Sequence, residues 1–462
     1  MNERQLALSA FSDIIRRGAY ANLRLEELDK DMPQRPFVYA LVYTALEHLV
    51  TIDYLLDACT EKRRMKPLIR DILRLGMTEL LYMDEKTHAV VNEYVELTKK
   101  SGKRELAGFV NAILRRIDRE RDTLSLPGGM NARSLSIRYS IPEWIIAMWQ
   151  RDYPSHAASM LSHGKQSTCI RAQYPYHTGE LETVLTENEA VYRRGTMDPD
   201  AIHVESGFDP VHTDLYRTGR IAIQGEAAML ASRALSDMAG ANVLDACSAP
   251  GGKSACLYSL LSGNVRLTCW DIHPHRTDLI RAAFERLHVQ AEIAVHDASL
   301  PDDVFFQRFD AVLVDAPCSG LGLVHQKPDL RYRVKETDIA EIASVQAKIL
   351  DTVSSYVKPG GILVYATCTV SRQENECQVR SFLGRHPEFC PDSLPFVKNG
   401  GNGPVLIRFQ KETAETPGVT SMDDSVTLAG YEISPDGSAI QLFPAGDGTE
   451  GFYIARLKKC IS

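Results

Sequence analysis

Apolar residues in the first 125 positions recur every three or four residues, the spacing of amphipathic helices. Leu6, Phe11 and Ile14 begin this pattern. Five helices are predicted, through residues 6–15, 36–56 and 67–83, after His88, and through residues 109–117. Such helices can bury their apolar faces together, so the region is predicted to be a helical bundle. The break Leu126-Pro-Gly-Gly-Met130 ends it.

After this break, helical and alternating runs are mixed up to residue 235, and from Asn242 strands alternate regularly with helices. A helix is predicted from Ile141 to Trp149, and residues 165–235 combine short alternating runs with a helical run, which indicates a small α+β unit. From Asn242 onward, short apolar runs alternate with helices, as in a doubly wound parallel sheet. Its strands are predicted at 243–247, 267–272, 293–296, 311–314 and 362–367.

The final segment departs from this alternation. Runs 440–443 and 452–456 flank a Gly- and Asp-rich loop and are predicted to form a terminal hairpin at the sheet edge. Residues 395–435 are rich in Gly, Pro and acids and are predicted to be dominated by loops. The chain is therefore predicted to be multidomain. Its parts are an all-α bundle at 1–128, a linker helix with a small α+β region at 129–235, and an α/β Rossmann-like domain at 236–462.

Composition places the chain among soluble globular proteins. Of its 462 residues, 44% are hydrophobic and 24% are charged, which is an ordinary balance for that class. No apolar run reaches about 18 residues and no apolar core follows Met1, so neither a membrane span nor a secretory signal is predicted. The ten cysteines include no C-x-x-C pair, so no metal site is expected, and free thiols fit a reducing cytoplasm.

Charge is distributed unevenly, although the net charge is −8. Residues 60–121 carry five more basic than acidic residues, and residues 411–450 carry seven more acidic than basic ones. The basic residues form clusters at Lys62–Arg74, Lys99–Arg104 and Arg115–Arg119. These clusters predict a phosphate-contacting surface, with a plain solvated helix face as the alternative. Lys327, Arg331 and Arg333 are further candidate phosphate contacts.

Acids and a glycine turn follow the predicted strands at one edge of the sheet. The first strand runs into Asp245-Ala-Cys-Ser-Ala-Pro-Gly-Gly-Lys253, where a ligand can approach backbone N–H groups. This turn is neither a dinucleotide fingerprint nor a P-loop, which disfavours a nicotinamide cofactor and a nucleoside triphosphate. The next two strands end at Asp271 and Asp297, placed to bind a ribose and an adenine amine. Together these features predict a nucleoside site.

Two thiols follow the last two strands of this sheet. Asp315-Ala-Pro-Cys318 comes after one apolar run, and Ala366-Thr-Cys368 comes after the other. A lone cysteine in such a position is usually a packing residue, but two thiols and one acid at the same edge suggest cysteine-based covalent chemistry. The residues by themselves leave open which thiol attacks.

These motifs together resemble the RsmB/Nop-type RNA cytosine-5 methyltransferases. The match rests on Asp245–Lys253, Asp315–Cys318 and Ala366–Cys368, with support from Glu374-Asn375 and from Glu450–Arg456. The first 125 residues resemble the NusB-type RNA-binding domain that bacterial members carry ahead of the catalytic domain. The resemblance implies S-adenosylmethionine as methyl donor and a cytosine of small-subunit ribosomal RNA as target. Because the base must leave its stack to reach the thiols, we expect it in a single-stranded or loop segment.

The resemblance also implies roles for individual residues. Cys368 is the nucleophile, Cys318 assists product release, and Asp315 faces the active site. The cofactor is bound by Cys247, Ser248, Ala249, Pro250, Gly251, Gly252, Lys253, Asp271, Asp297 and Asp315. One departure is Gly225 in Ile223-Gln-Gly-Glu226, where members commonly have an acid.

Other functions are compatible with parts of the sequence. The same chemistry could act on another RNA such as tRNA, and a non-catalytic NusB-like scaffold would use only the helical domain. Intact Cys318 and Cys368 argue against the scaffold. We expect a cytoplasmic monomer that binds RNA but neither DNA nor a membrane.

Overall fold

The computed structural model describes residues 2–28, 32–62, 64–83, 86–161, 167–400, 403–406, 430–444 and 449–461. They form two compact units. The first comprises Met1–Ala157 and Val324–Glu336, and the second comprises Ala158–Leu323 and Thr337–Ser462. These units divide the chain differently from the predicted domains, because residues 129–157 and a segment after Cys318 group with the N-terminal helices.

The first unit is helical, as predicted. Its first helix begins with a capping box, in which the Asn2 side chain accepts from the Gln5 backbone N–H and the Gln5 side chain accepts from that of Asn2. Phe11, Leu46 and Leu114 are fully buried in its core. Its helices are α1 (Glu3–Arg17), α2 (Ala21–Glu26), α3 (Arg35–Glu47), α4 (Leu49–Cys59), α5 (Pro67–Tyr82), α6 (Thr87–Lys100), α7 (Ala107–Glu120), α8 (Ala132–Tyr139), α9 (Glu143–Asp152) and α15 (Leu330–Arg333).

The predicted helix over 36–56 is wrong in one respect, since α3 and α4 are separate helices. They are divided at His48, whose φ of −109° and ψ of 12° leave the helical region. Apolar residues continue at helical spacing across His48, so periodicity does not reveal the break. The short helices α2 and α8 were not predicted, because one or two turns give too few repeats to detect.

The returning segment Val324–Glu336 is anchored by polar contacts within the first unit. Arg331 is buried and donates to the carbonyl oxygens of Glu47, at 2.9 Å, and Ser140, at 3.1 Å. The Arg333 guanidinium lies 3.2 Å from the centre of the Tyr20 ring. The expectation that Arg331 contacts phosphate is therefore wrong, since its donors satisfy carbonyl groups at helix ends. Lys327 is exposed.

The second unit contains a small antiparallel sheet of order β2-β3-β1-β4, which confirms the predicted α+β region. Ile170 and Leu181 are fully buried in the core between this sheet and its helix. The strands are β1 (Thr168–Ala172), β2 (Val191–Arg194), β3 (Ile202–Ser206) and β4 (Ile221–Ile223), and the helices are α10 (Thr178–Glu187), α11 (Asp214–Arg217) and α12 (Glu226–Arg233).

The large sheet of the second unit is mixed rather than wholly parallel. Its order is β13-β14-β15-β9-β8-β5-β6-β7, with β10 paired to β15. The five predicted strands are present and parallel: β5 (Asn242–Asp245), β6 (Arg266–Asp271), β7 (Ala291–Val295), β8 (Phe309–Asp315) and β9 (Val357–Thr367). The helices of this part are α13 (Gly252–Leu260), α14 (Pro274–Leu287), α16 (Asp338–Ser354) and α17 (Glu376–Arg385).

The C-terminal part extends this sheet with antiparallel strands. The predicted hairpin is confirmed as β14 (Ala439–Leu442) and β15 (Phe452–Lys459), and β15 pairs with β9. The loop prediction for 395–435 is wrong where the structure describes that stretch, and residues 401–402 and 407–429 lie outside the described residues. The other strands are β10 (Phe389–Pro391), β11 (Val397–Gly400), β12 (Gly403–Leu406) and β13 (Tyr431–Ile433). None of the helices described here is long and apolar enough to cross a membrane.

Candidate active site

The carboxyl ends of the central strands bring the predicted acids and thiols to one edge of the large sheet. Strand β5 lies between β6 and β8, and β9 follows β8. Asp315 is paired in register with Ala366, two residues before Cys368. Because parallel strands end at a common edge, the sheet assembles groups that are more than a hundred residues apart in sequence.

The glycine turn after β5 has the form that a cofactor loop requires. Gly251 has a φ of +97°, and a Cβ at this position would lie 2.8 Å from the Phe284 ring. Asp245 accepts from the Ser254 hydroxyl at 2.6 Å, and burial raises the pKa of Asp245 to about 6. Among the described residues, Asp245 Oδ1 and Ser248 Oγ are buried and have no hydrogen-bond partner. These unused polar atoms suit a polar ligand, while Gly251 is required by its positive φ and its close packing against Phe284.

The two predicted cofactor acids differ in their surroundings. Asp271 is 3% exposed, and its carboxylate lies 3.3 Å from the Arg276 guanidinium and accepts from the His273 backbone N–H. Asp297 is half-buried and accepts from both the backbone N–H and the hydroxyl of Ser299, as a turn-capping residue does. Asp271 is thus held in a fixed orientation at the end of β6.

The two predicted thiols lie together. The sulfur atoms of Cys318 and Cys368 are 3.3 Å apart, and both side chains are half-buried. The hydrogen bond with Cys368, together with burial, raises the pKa of the Cys318 thiol well above its ordinary value. Cys318 therefore keeps its proton and can donate it toward the Cys368 sulfur.

Lys253 was predicted to bind the cofactor, but it also interacts with Asp315 and the Cys368 sulfur. Its ammonium is 2.6 Å from the Asp315 carboxylate. Burial alone lowers the pKa of Lys253, but Asp315 and the Cys368 sulfur more than offset this, and the net pKa is raised. A permanent cation thus lies beside Cys368. The sequence placed Lys253 on the cofactor loop and gave no sign of its partner, which is 62 residues away.

Three polar residues near the thiols were not predicted as site residues. Ser319, Gln346 and Glu374 form a buried hydrogen-bonded group beneath the two thiol loops. A signal did exist for Gln346, since it is a polar residue among the mostly apolar buried residues of α16. Such a residue indicates a buried polar partner, but not which one.

The departure at Gly225 has a local explanation. A Cβ at Gly225 would collide with the carboxylate of Glu450, the residue two positions before β15. An acid at position 225 could not fit here without displacing Glu450.

Solved structures share this fold. The crystal structure of PH0851 superimposes with a TM-score of 0.75 at 21% identity, covering 99% of both chains. That of a methyltransferase homologue from Pyrococcus horikoshii gives a TM-score of 0.56 at 22% identity, covering 72% of this chain and 99% of the other.

Sequence comparison extends the likeness to specific proteins. Residues 1–119 match the NusB family, and residues 232–458 match the family described as 16S rRNA methyltransferase RsmB/F. The probable ribosomal RNA small subunit methyltransferase B of Bacillus subtilis is 34% identical over 99% of this chain and 98% of its own length. The ribosomal RNA small subunit methyltransferase B of Vibrio cholerae is 29% identical over 84% and 90%. The chain therefore belongs to the RsmB/F family of 16S rRNA methyltransferases.

Proposed function

We propose that this protein transfers a methyl group from S-adenosylmethionine to carbon 5 of a cytosine in small-subunit ribosomal RNA, through a transient bond between Cys368 and carbon 6. The observation that carries the proposal is the pair of thiols 3.3 Å apart beside the Lys253–Asp315 ion pair. Relatives named as small-subunit rRNA methyltransferases support the class of substrate.

The residues at the end of β5 and β6 fit the cofactor. The turn at 247–253 offers unpaired buried polar atoms, and Asp271 offers a carboxylate for the ribose hydroxyls. Asp297 is proposed to accept from the adenine amine. S-adenosylmethionine, when bound, supplies an electrophilic methyl group.

Cys368 is the proposed nucleophile because its surroundings favour the anion. Attack by a thiolate on carbon 6 makes carbon 5 electron-rich, and the thiolate is the reactive form of cysteine. The Lys253 cation and the Cys318 S–H donor both stabilise negative charge on the Cys368 sulfur. The carboxylates of Glu374 and Asp315 raise the pKa of Cys318 further and so disfavour its anion.

Asp315 and Lys253 are proposed to act on the ring as attack proceeds. Negative charge develops at nitrogen 3 when the thiolate adds, and a proton donor there stabilises the adduct. Asp315 faces this nitrogen, and the Lys253 ammonium, 2.6 Å from the Asp315 carboxylate, can donate a hydrogen bond there while it keeps its charge.

Cys318 is proposed to act in the release step. After methylation, the carbon 5 proton must leave so that the bond between Cys368 and carbon 6 can break and expel the thiolate. Cys318, after losing its own proton to solvent, or a water that it orders, takes that proton. The effect of the Cys368 sulfur on the Cys318 pKa is lost once this sulfur is bonded to carbon, which makes deprotonation of Cys318 easier at this stage.

The proposed function is tested by incubating the full chain with methyl-labelled S-adenosylmethionine and unmethylated small-subunit rRNA. Label is expected in 5-methylcytosine after digestion to nucleosides, and none with Cys368→Ala. Since a stacked base cannot reach the thiols, single-stranded or loop segments should be preferred over duplex. Label in another nucleoside, or only in added tRNA, would contradict the proposal.

The helical unit is proposed to contact RNA phosphates through its unpaired cations. Arg70 and Arg74 form ion pairs with Asp53 and do not belong to this surface. Lys100 and Arg104 are exposed and, within the described residues, form no ion pair. The proposed basic surface therefore excludes Arg70 and Arg74, and Lys100 and Arg104 at the end of α6 are among the cations that remain.

Lys100→Gln with Arg104→Gln should weaken rRNA binding and flatten its salt dependence. Each lost phosphate contact reduces the slope of log affinity against log salt by about 0.7 for single strands. Lys348→Gln, at an exposed lysine of α16, is the matched control. Filter binding over a salt series measures the slope. An unchanged slope in the double variant would rule out this surface.

A further inference from the structure

A buried glutamate lies directly beneath the Cys318 loop. Glu374 is 0% exposed and lies just before α17. One carboxylate oxygen accepts from the backbone N–H of Ser319, at 2.9 Å, and from Gln346 Nε2, at 3.2 Å. The other accepts from the Ser319 hydroxyl at 2.6 Å. Glu374 therefore holds the residue next to Cys318 by both its backbone and its side chain.

The same group reaches the Cys368 loop. The Ser319 hydroxyl is 2.7 Å from the hydroxyl of Thr369, which follows Cys368. An ionised carboxylate only accepts, so the Ser319 hydroxyl donates to Glu374, while the Thr369 hydroxyl can donate to Ser319 and also lies 3.5 Å from the same carboxylate. This chain of hydrogen bonds links the two loops at one residue from each thiol.

The neighbours of Glu374 fix it from the opposite side. Its backbone carbonyl accepts from the Tyr365 hydroxyl at 2.6 Å. Gln346 Nε2 also donates to the carbonyl of Pro317, at 2.9 Å, and Asn375 Nδ2 donates to the carbonyl of Thr369, at 3.0 Å. The carboxylate thus has little freedom to move, and a rigid support of this kind is what a catalytic pair needs.

We propose that Glu374 is a positioning residue that sets the separation of the Cys318 and Cys368 thiols. The inference rests on the proposed function, in which both thiols act on one cytosine ring. A misplacement of about 1 Å at a reacting centre can cost about 100-fold in rate. Glu374 touches neither thiol, so its effect on their positions is exerted through Ser319 and Thr369, apart from the effect of its charge on the pKa of Cys318.

Two substitutions of Glu374 distinguish a role in positioning the thiols from a role in packing alone. In Glu374→Gln, the amide oxygen can accept from Ser319 N and Gln346, while the amide nitrogen donates to the Ser319 hydroxyl, whose proton then turns to Thr369. The bridge survives with its hydroxyl protons reversed. In Glu374→Ala the bridge is lost. Glu376→Gln, at a half-exposed glutamate two residues along, is the matched control.

The thiol separation can be measured without RNA by capture with phenylarsine oxide. The arsenical bonds to two neighbouring thiols, and its oxygen leaves as water with both thiol protons. The sulfurs of Cys390 and Cys460 are 3.4 Å apart at the surface and would also react, so all variants are made in a Cys390→Ser, Cys460→Ser background. Mass spectrometry follows the rate, and the melting shift with S-adenosylmethionine reports cofactor binding.

Glu374→Ala should lower the capture rate about tenfold, the effect of losing a charge-assisted hydrogen bond. It should lower kcat about 100-fold while KM for RNA and the cofactor-induced melting shift are kept. Glu374→Gln should restore most of both rates. If Glu374→Ala does not fold, Ser319→Ala breaks the same bridge and should slow capture and kcat in the same direction.

Capture and kcat at wild-type values in Glu374→Ala, with only the melting temperature lowered, would show a purely structural role and overturn the proposal. Unchanged rates in Ser319→Ala would do the same if Glu374→Ala cannot be obtained. If the parent protein does not methylate rRNA but Glu374→Ala still slows capture, the proposed function fails and the positioning role stands.

Discussion

Replacing Cys318 by alanine should cause a covalent protein–RNA complex to accumulate. Cys368 can still attack carbon 6 and the methyl group can still be transferred, but no base then removes the carbon 5 proton. The thioether cannot be eliminated, so the protein stays attached to its substrate. A slowly migrating band on a denaturing gel should appear with Cys318→Ala, S-adenosylmethionine and rRNA.

The matching change at the other thiol should have the opposite result. Cys368→Ala has no attacking thiol, so neither it nor the double variant should give the band, and methyl transfer should be lost. Both single variants should still be stabilised by the cofactor, by about 2.7 kcal/mol at 100-fold excess over Kd, which is measured as a rise in melting temperature. Asp271→Ala is the control that should lose this rise, because it removes the proposed ribose ligand. A band with Cys368→Ala would exchange the two roles, and no band with either variant would argue against a covalent adduct.

Lys253→Met should lower the rate at neutral pH and restore it partly as the pH rises. The Lys253 cation favours the thiolate of Cys368, so removing it raises the thiol pKa and leaves less of the reactive form. A pKa change of about one unit corresponds to a tenfold loss in the thiolate fraction below the pKa. The acidic limb of the profile of kcat/KM against pH should therefore move to higher pH.

The sign of this shift distinguishes the thiolate role from a general loss of stability. Lys358→Met removes a similar ion pair, 2.7 Å from Asp310, near the opposite end of the same strands. That control should leave the acidic limb in place. A Lys253→Met profile that falls equally at every pH would mean that the lysine acts on binding or folding, and not on thiol ionisation.

Local patterns were sufficient for much of this architecture. The five parallel strands are short runs of mainly apolar residues with helices between them, a pattern typical of a parallel sheet covered by helices. The acids and thiols at their carboxyl ends could be identified as a site because parallel strands share an edge. The helical bundle likewise follows from the repeat of apolar residues in the first 125 positions.

The apolar pattern gave wrong predictions where it continued across a helix break and where a strand was very short. The apolar repeat runs through His48 without a gap, so the division between α3 and α4 depends on backbone torsion that periodicity does not report. Strands β11, β12 and β13 have three or four residues each in a Gly- and Pro-rich stretch. They form because each has a partner strand, which composition cannot show.

The sequence by itself determined which chemical groups are present and that the sheet brings them to one edge. Only the tertiary structure decided which group each charge faces. Arg331 was expected to contact RNA phosphate, but it donates to the carbonyl of Glu47, 284 residues away. Lys253 was assigned to the cofactor, and in the structure its ammonium pairs with Asp315. The physical reason is that periodicity records the burial of apolar faces, which is a local property, while an ion pair or a buried hydrogen bond depends on distances between residues far apart in the chain.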